Sequence, residues 1–259
     1  MARPKEPHFF SNLKPSPEHF DQVLISKKAD YLSLFKGASG FSAVGEASTS
    51  YLYEEGTPFR IKNCIPDAKI IIMLRDPIDR AFSHYLMDVR AGMQALPFYD
   101  ALNDDYHAFE KGYYISHLYV ELGMYYNQIK RYIDVFGHQS LLILSFDDFK
   151  RNSGMVFKEV ARFLDIDLES VDSIATDRVY NAFAAPRNKA AKLILRNKAI
   201  NMFGKVLIPK SGRVFLKEKI LLSHNKPKMD VRSMKFLKDM YSDDMRELKD
   251  LIGWAPYKF

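Results

Sequence analysis

Two kinds of hydrophobic pattern run along the chain. Residues 69–74 read Lys-Ile-Ile-Ile-Met-Leu, an apolar run without alternation that predicts a strand covered on both faces, as in a parallel sheet. Directly after Arg75, the order Asp76-Pro77-Ile78-Asp79 supplies a helix N-cap, a proline at the first helical position and an acid in the first turn. Ile78, Ala81, Phe82, Tyr85, Leu86 and Val89 then recur at helical spacing until Gly92 closes the stripe. Strand followed by helix is the repeating unit of an α/β fold.

The pattern repeats further along. A long helix is predicted over residues 116–136, with Leu118, Leu122, Tyr125, Ile129, Tyr132, Ile133 and Phe136 on one stripe and Gly137 ending it. Residues 140–145 predict another buried strand, and residues 153–164 a helix that completes a second unit. A short strand is predicted over residues 42–48, and a Pro-rich, aromatic loop over residues 1–20. The last helix is predicted over residues 233–252, with Leu237, Met240, Tyr241, Leu248, Leu251 and Ile252 inward and Gly253 past its end. There is no internal repeat. The expected organisation is one domain, 1–259: a motif-bearing core over 1–165, a basic covering subdomain over 181–230 and the helix at 233–252.

Composition narrows the class. With 259 residues, 47% hydrophobic and 27% charged, the chain has the balance of a globular protein rather than a collagen-like or disordered one. Its apolar runs fall well short of the ~18 residues that span a bilayer, so no membrane segment is expected. Nor does the N-terminal stretch carry the apolar region of a secretory signal. The single cysteine, Cys64, cannot form an intramolecular disulfide or a four-cysteine zinc site. The histidines lack partners at ligand spacing, so no metal is expected. These features point to a reducing compartment, a bacterial cytoplasm, with the Golgi lumen as the alternative should an anchor precede Met1.

The net charge of +6 hides an asymmetry, because residues 187–229 hold twelve Lys/Arg against one acid, Glu218. Such a tract attracts a polyanion, or is simply the solvated face of a helix and loop. No zinc-finger spacing, aromatic RNA-binding motif or Walker sequence accompanies it, and nucleic acid is not the expected partner. The sequence carries no signal of oligomeric state.

The strand-to-helix junction at Arg75 is where open α/β sheets bind ligands, because helix N-termini there present unpaired N–H groups. Ser83 lies on the predicted helix, away from the apolar stripe. A guanidinium and a hydroxyl beside a helix start make a phosphate clamp. The same spacing also fits an Arg75 paired with Asp76 or Asp79 and a merely exposed Ser83.

The stretch Lys69-Ile-Ile-Ile-Met-Leu-Arg-Asp-Pro-Ile-Asp-Arg-Ala-Phe-Ser-His-Tyr85 closely resembles the 3′-phosphate-binding motif of sulfotransferases that use 3′-phosphoadenylyl sulfate (PAPS). Lys5-Glu-Pro-His-Phe-Phe10 resembles a loop of the heparan-type and bacterial carbohydrate sulfotransferases. Gly45-Glu-Ala-Ser-Thr-Ser-Tyr51, and the order from Gly112-Tyr-Tyr to Phe146-Asp-Asp-Phe149, follow the same family. The resemblance implies a P-loop-NTPase-like three-layer fold, a central parallel sheet flanked by helices. It implies PAPS as co-substrate, bound at its 3′-phosphate by Arg75 and Ser83, and a hydroxyl or amine of a glycan as acceptor. It also implies Glu6 as general base, with His8 the alternative because an imidazole titrates near ~6.5. Lys5 is either close to the transferred group or an exposed loop lysine.

One departure sets a further expectation. Family members carry a strand and a glycine-containing loop for the 5′-phosphosulfate ahead of the Lys-Glu-Pro-His-Phe-Phe segment, where this sequence has four residues. The expectation is that Met1 is internal to a longer enzyme. The alternative is a degenerate, non-catalytic relative that binds glycan or nucleotide without turnover.

Overall fold

In the computed structural model, described over residues 5–13, 24–168, 185–186, 222–223 and 227–257, two parallel strands form the sheet beside the candidate site. β1 (Ile70–Leu74) pairs with β2 (Leu141–Ser145) in a register that runs from Ile70 opposite Leu141 to Leu74 opposite Ser145. Both strands are where the apolar runs predict them, so the α/β class holds.

The connection from β1 to β2 passes through three helices: α1 (Pro77–Ala91), α2 (Phe98–Tyr106) and α3 (Tyr125–Phe136). Helix α1 begins as expected, because the Asp76 carboxylate accepts hydrogen bonds from Ile78 N and Asp79 N, and it ends at Gly92 with φ +78°. After β2 come α4 (Phe146–Arg151) and α5 (Ser153–Leu164), the latter capped by Asn152 accepting from Met155 N. The C-terminal helix α6 (Val231–Ile252) packs across α1, α2 and α3. Ahead of β1 lie two short helices, Lys28–Ser33 and Thr57–Cys64. Leu74, Ala81, Ile129, Tyr119, Leu237, Tyr241 and Leu248 make the fully buried centre of the core. A two-residue antiparallel pair joins Ala185–Pro186 to Leu222–Ser223. The rest of the predicted basic subdomain, apart from residues 227–230, lies outside the described residues.

Three expectations need correction. The helix predicted over 116–136 starts only at Tyr125. Before it, the Asp105 carboxylate takes the amides of His117, Leu118 and Tyr119, and Leu118 sits at φ +55°. A carboxylate that collects three successive N–H groups competes directly with the helical hydrogen bonds they would otherwise make. Residues 42–48 form no strand. Instead the Glu46 side chain gathers hydroxyls from Tyr31, Ser48 and Tyr51. Finally, β1 is covered on one face only: Ile72 and Leu74 are buried while Ile71 and Met73 are each 41% exposed.

The start of α3 is held from a distance. Asp244 of α6 accepts hydrogen bonds from Tyr125 N at 2.7 Å and Tyr126 N at 3.2 Å. It is the N-terminal cap that the local sequence does not provide. Burial raises the carboxyl of Asp244 to about 6, against the pull of those two amides.

Candidate active site

The loop that carries Glu6 and His8 is built from aromatic anchors. Phe9 stacks on Tyr31 with centroids 4.2 Å apart, and Phe10 packs edge-on against Tyr31 and Tyr51. The backbone is tied at Phe10, whose N donates to Tyr51 OH and whose carbonyl accepts from Thr57 Oγ1 and Arg60 Nε. Ile25 N donates to the Pro7 carbonyl at 3.0 Å. These contacts hold Glu6 and His8 in left-handed backbone conformations, φ +60° and +52°, which cost roughly 1–2 kcal/mol for each non-glycine residue.

The two side chains differ sharply. His8 is buried, 3% exposed, and its Nδ1 lies 2.7 Å from Ser50 Oγ, which in turn lies 2.5 Å from Ser11 Oγ. Burial pushes the His8 imidazole below its usual pKa, more strongly than the nearby Glu6 charge pulls it up. Glu6 is partly open. Its Oε2 accepts a hydrogen bond from Thr49 Oγ1 at 3.2 Å and lies 3.8 Å from His8 Nε2. Tyr113 OH is 2.7 Å from the same Thr49 hydroxyl, and Tyr114 OH is 3.5 Å from His8 Nε2. Lys5 is exposed, with Nζ 4.0 Å from Glu6 Oε1. A carboxylate beside a neutral imidazole, rimmed by three hydroxyls, is chemically equipped to accept a proton from an alcohol or amine.

Arg75 stands at the carboxyl end of β1, one residue before the cap of α1. Its guanidinium lies over the Phe146 ring, 5.4 Å from the centroid, and its carbonyl accepts from Tyr125 OH at 3.0 Å. The Nε is buried and has no hydrogen-bond partner among the described residues. Ser83 is half-buried on α1, about 10 Å along the helix axis from Asp76 at ~1.5 Å per residue. The structure therefore joins Glu6 with His8, and puts Arg75 and Ser83 on one strand–helix unit.

Residues that the pattern of the sequence does not single out complete the first group. Thr49, Ser50, Tyr113 and Tyr114 all sit in segments that resemble the family, yet their side chains meet only through the fold. Segment 112–119 also links the two groups. Arg80 of α1 donates to the Tyr119 carbonyl, while Tyr113 and Tyr114 of the same segment reach Thr49 and His8.

A second buried cluster lies at the far end of α1. Asp88 Oδ2 accepts from Tyr119 OH at 2.8 Å and lies 2.8 Å from His117 Nδ1 and 3.7 Å from His84 Nε2. Burial drives the His84 imidazole down to about 4, with the Asp88 charge opposing. An unfolded chain takes up a proton near 6.5 while folded His84 does not, so the contribution of His84 to stability falls as pH drops from 6.5 toward about 4. The variant His84→Gln is expected to lose less stability than the parent on going from the upper to the lower end of that window, which urea midpoints measured at either end will read. An equal loss would show that another group carries the acid sensitivity.

Comparison with known proteins now has geometry to rest on. The sulfotransferase domain model matches residues 56–249, and the chain belongs to that family, whose sulfuryl donor is PAPS. The mouse bifunctional heparan sulfate N-deacetylase/N-sulfotransferase 3 is 26% identical over 258 residues, 95% of this chain and 27% of that protein. Human carbohydrate sulfotransferase 15 is 26% identical over 214 residues, 62% of this chain and 38% of that one. The chain thus spans well under half the length of these curated relatives. A crystal structure of a sulfotransferase from Alicyclobacillus acidocaldarius superposes with a TM-score of 0.70 at 28% identity, covering 98% of this chain and 85% of that one. Among the described residues, no helix is long and apolar enough to cross a membrane.

Proposed function

We propose that the chain transfers a sulfuryl group from PAPS to a hydroxyl or amine of a carbohydrate acceptor, on a three-layer P-loop-like α/β frame. The observation that carries this reading is the place of Arg75, a guanidinium at the carboxyl end of β1, directly before a helix N-terminus, with a buried Nε that has no partner among the described residues, a property it shares with Arg80 and Arg131. Of these arginines, Arg75 alone stands at the strand end beside the N-terminus of α1, and an anionic oxygen is the ligand that a guanidinium beside a positive helix end favours. Arg75 and Ser83 are assigned to the 3′-phosphate of the donor. The carbohydrate acceptor is supported by the names of the relatives above, a heparan sulfate N-sulfotransferase and a carbohydrate sulfotransferase.

In the reaction, Glu6 accepts the proton of the attacking hydroxyl or amine as its O or N bonds to sulfur. The bond from sulfur to the 5′-phosphate oxygen breaks, and adenosine 3′,5′-bisphosphate leaves with the electron pair. Glu6 suits the role of base better than His8, because the ring of His8 is buried and its Nδ1 is engaged by Ser50.

Titration with adenosine 3′,5′-bisphosphate tests the clamp. Arg75→Ala is expected to weaken binding about 10- to 100-fold and Ser83→Ala by less, from the usual worth of charge-assisted hydrogen bonds. Labelled-sulfate transfer to a glycan then separates an enzyme from a binding-only relative. Unchanged nucleotide affinity in the double variant would overturn the assignment.

A further inference from the structure

The buried cluster at the end of α1 touches the same segment whose tip reaches the candidate base. Residues 117–119 are fixed from below by two carboxylates on different helices. Asp105 of α2 accepts from the three successive amides, His117 N at 2.7 Å, Leu118 N at 3.2 Å and Tyr119 N at 2.8 Å. Asp88 of α1 accepts from Tyr119 OH and lies 2.8 Å from His117 Nδ1. The His117 ring lies flat on Tyr119, 4.8 Å between centroids and 4° from parallel. A few residues upstream, a tight turn closed by Ile115 N and Ser116 N donating to the Gly112 carbonyl carries Tyr113 and Tyr114. Their hydroxyls meet Thr49 and His8 beside Glu6. Tyr114, like Glu6 and His8, is held in the left-handed region, at φ +70°.

We propose that His117 and Asp88 form a positioning pair that, through the short turn at 112–116, holds the Tyr113 and Tyr114 hydroxyls in register with Glu6 and His8. This rests on the reading of Glu6 as the base given above. Neither residue touches the reacting atoms. They set where the hydroxyl rim stands, and so how an acceptor is oriented against the carboxylate.

Charge makes the hold conditional. Asp88 is buried, and burial alone would favour its neutral form. Hydrogen bonds from His117 and Tyr119 and the neighbouring histidines reverse that and hold its carboxyl below the usual range. His117 is raised above its usual value, chiefly by its hydrogen bond to Asp88, with the charges of Asp88, Asp105 and Asp104 adding to it against burial. His84 and Arg80 of α1 face the same cluster. His84 is driven down to about 4 by burial, so it carries no charge when His117 titrates and cannot replace it. The ion pair is therefore complete at mildly acidic pH, and its hold weakens as pH rises through the raised pKa of His117.

Hydrogen–deuterium exchange on the full chain reads this directly. Rates for a peptide covering 112–116, corrected for the intrinsic pH effect, would be compared between about pH 6 and about pH 9. In the parent, exchange is expected to rise about fivefold or more across that interval. In His117→Gln it is expected to be fast at both ends, with the β1 and β2 amides unchanged. Asp88→Asn gives the same result if it folds. Loss of protection in β1 would show that it does not, and His117→Gln then decides.

The second readout is kinetic. Sulfate transfer by His117→Gln is expected to fall about tenfold in kcat, with affinity for adenosine 3′,5′-bisphosphate unchanged. Equal protection of 112–116 in parent and His117→Gln at both ends of the interval overturns the proposal. A parent that transfers no sulfate refutes the proposed function instead, and leaves the exchange comparison to settle the positioning pair.

Discussion

Replacing Glu6 by glutamine is expected to lower the rate of sulfate transfer by about 10²–10⁴-fold, the usual contribution of a positioned general base. Glutamine keeps the shape and can still accept the Thr49 hydrogen bond, so the loop fold and the nucleotide affinity should survive. The loss should appear in kcat. His8→Gln is the informative contrast. Its ring is packed inside the loop and hydrogen-bonded to Ser50, so its removal should cost stability as well as rate, whereas Glu6→Gln should cost rate alone. A Glu6→Gln variant with parental kcat would remove Glu6 from the chemistry, whatever the role of Arg75.

The largest effect on stability is expected at Asp244. Substitution by alanine leaves Tyr125 N and Tyr126 N without the carboxylate that receives them, beneath a helix that is otherwise uncapped at that end. An unsatisfied buried donor costs ~1–3 kcal/mol, and two sharing one lost acceptor put the expected destabilisation at about 2–4 kcal/mol. Urea denaturation with an unchanged m-value would measure it. Asp244→Asn should recover part of the loss, because the amide oxygen can still accept. Since folding raises this carboxyl from 3.8 to about 6, the group binds its proton more tightly in the folded state. Its contribution therefore becomes less favourable as pH rises through that window. In Asp244→Asn this slope should vanish. An alanine variant as stable as the parent would mean that solvent satisfies the start of α3.

Where order is decided locally, the sequence shows it. The β1–α1 unit is legible from Asp76, Pro77 and the stripe that follows, because a cap, a proline and a periodic face act within a few residues of one another. The stretch 116–124 is not. Leu118 and Leu122 stand at helical spacing, but the acid that takes the amides of 117–119 is Asp105, and the acid that starts α3 is Asp244 in the C-terminal helix. Neither can be read from the window in which the stripe is seen.

The candidate site divides in the same way. Arg75 and its helix are visible as a strand end and a cap, and the sequence points to the junction without any family likeness. Glu6 and His8 enter through resemblance alone, since an isolated loop of charged and aromatic residues has no periodicity to interpret. Thr49 reaches Glu6 across 43 residues and Tyr113 across 64. A hydroxyl network assembled from three distant loops leaves no trace in any one of them.

The left-handed backbone at Glu6 and His8 has a consequence for protein engineering. Glycine occupies that conformation without steric strain, so random libraries screened only for heat resistance would enrich glycine at Glu6, whose side chain is partly open, and not at His8, whose ring is buried and hydrogen-bonded. Such winners would shed the very carboxylate the chemistry needs, and endurance and turnover would part company first in this loop.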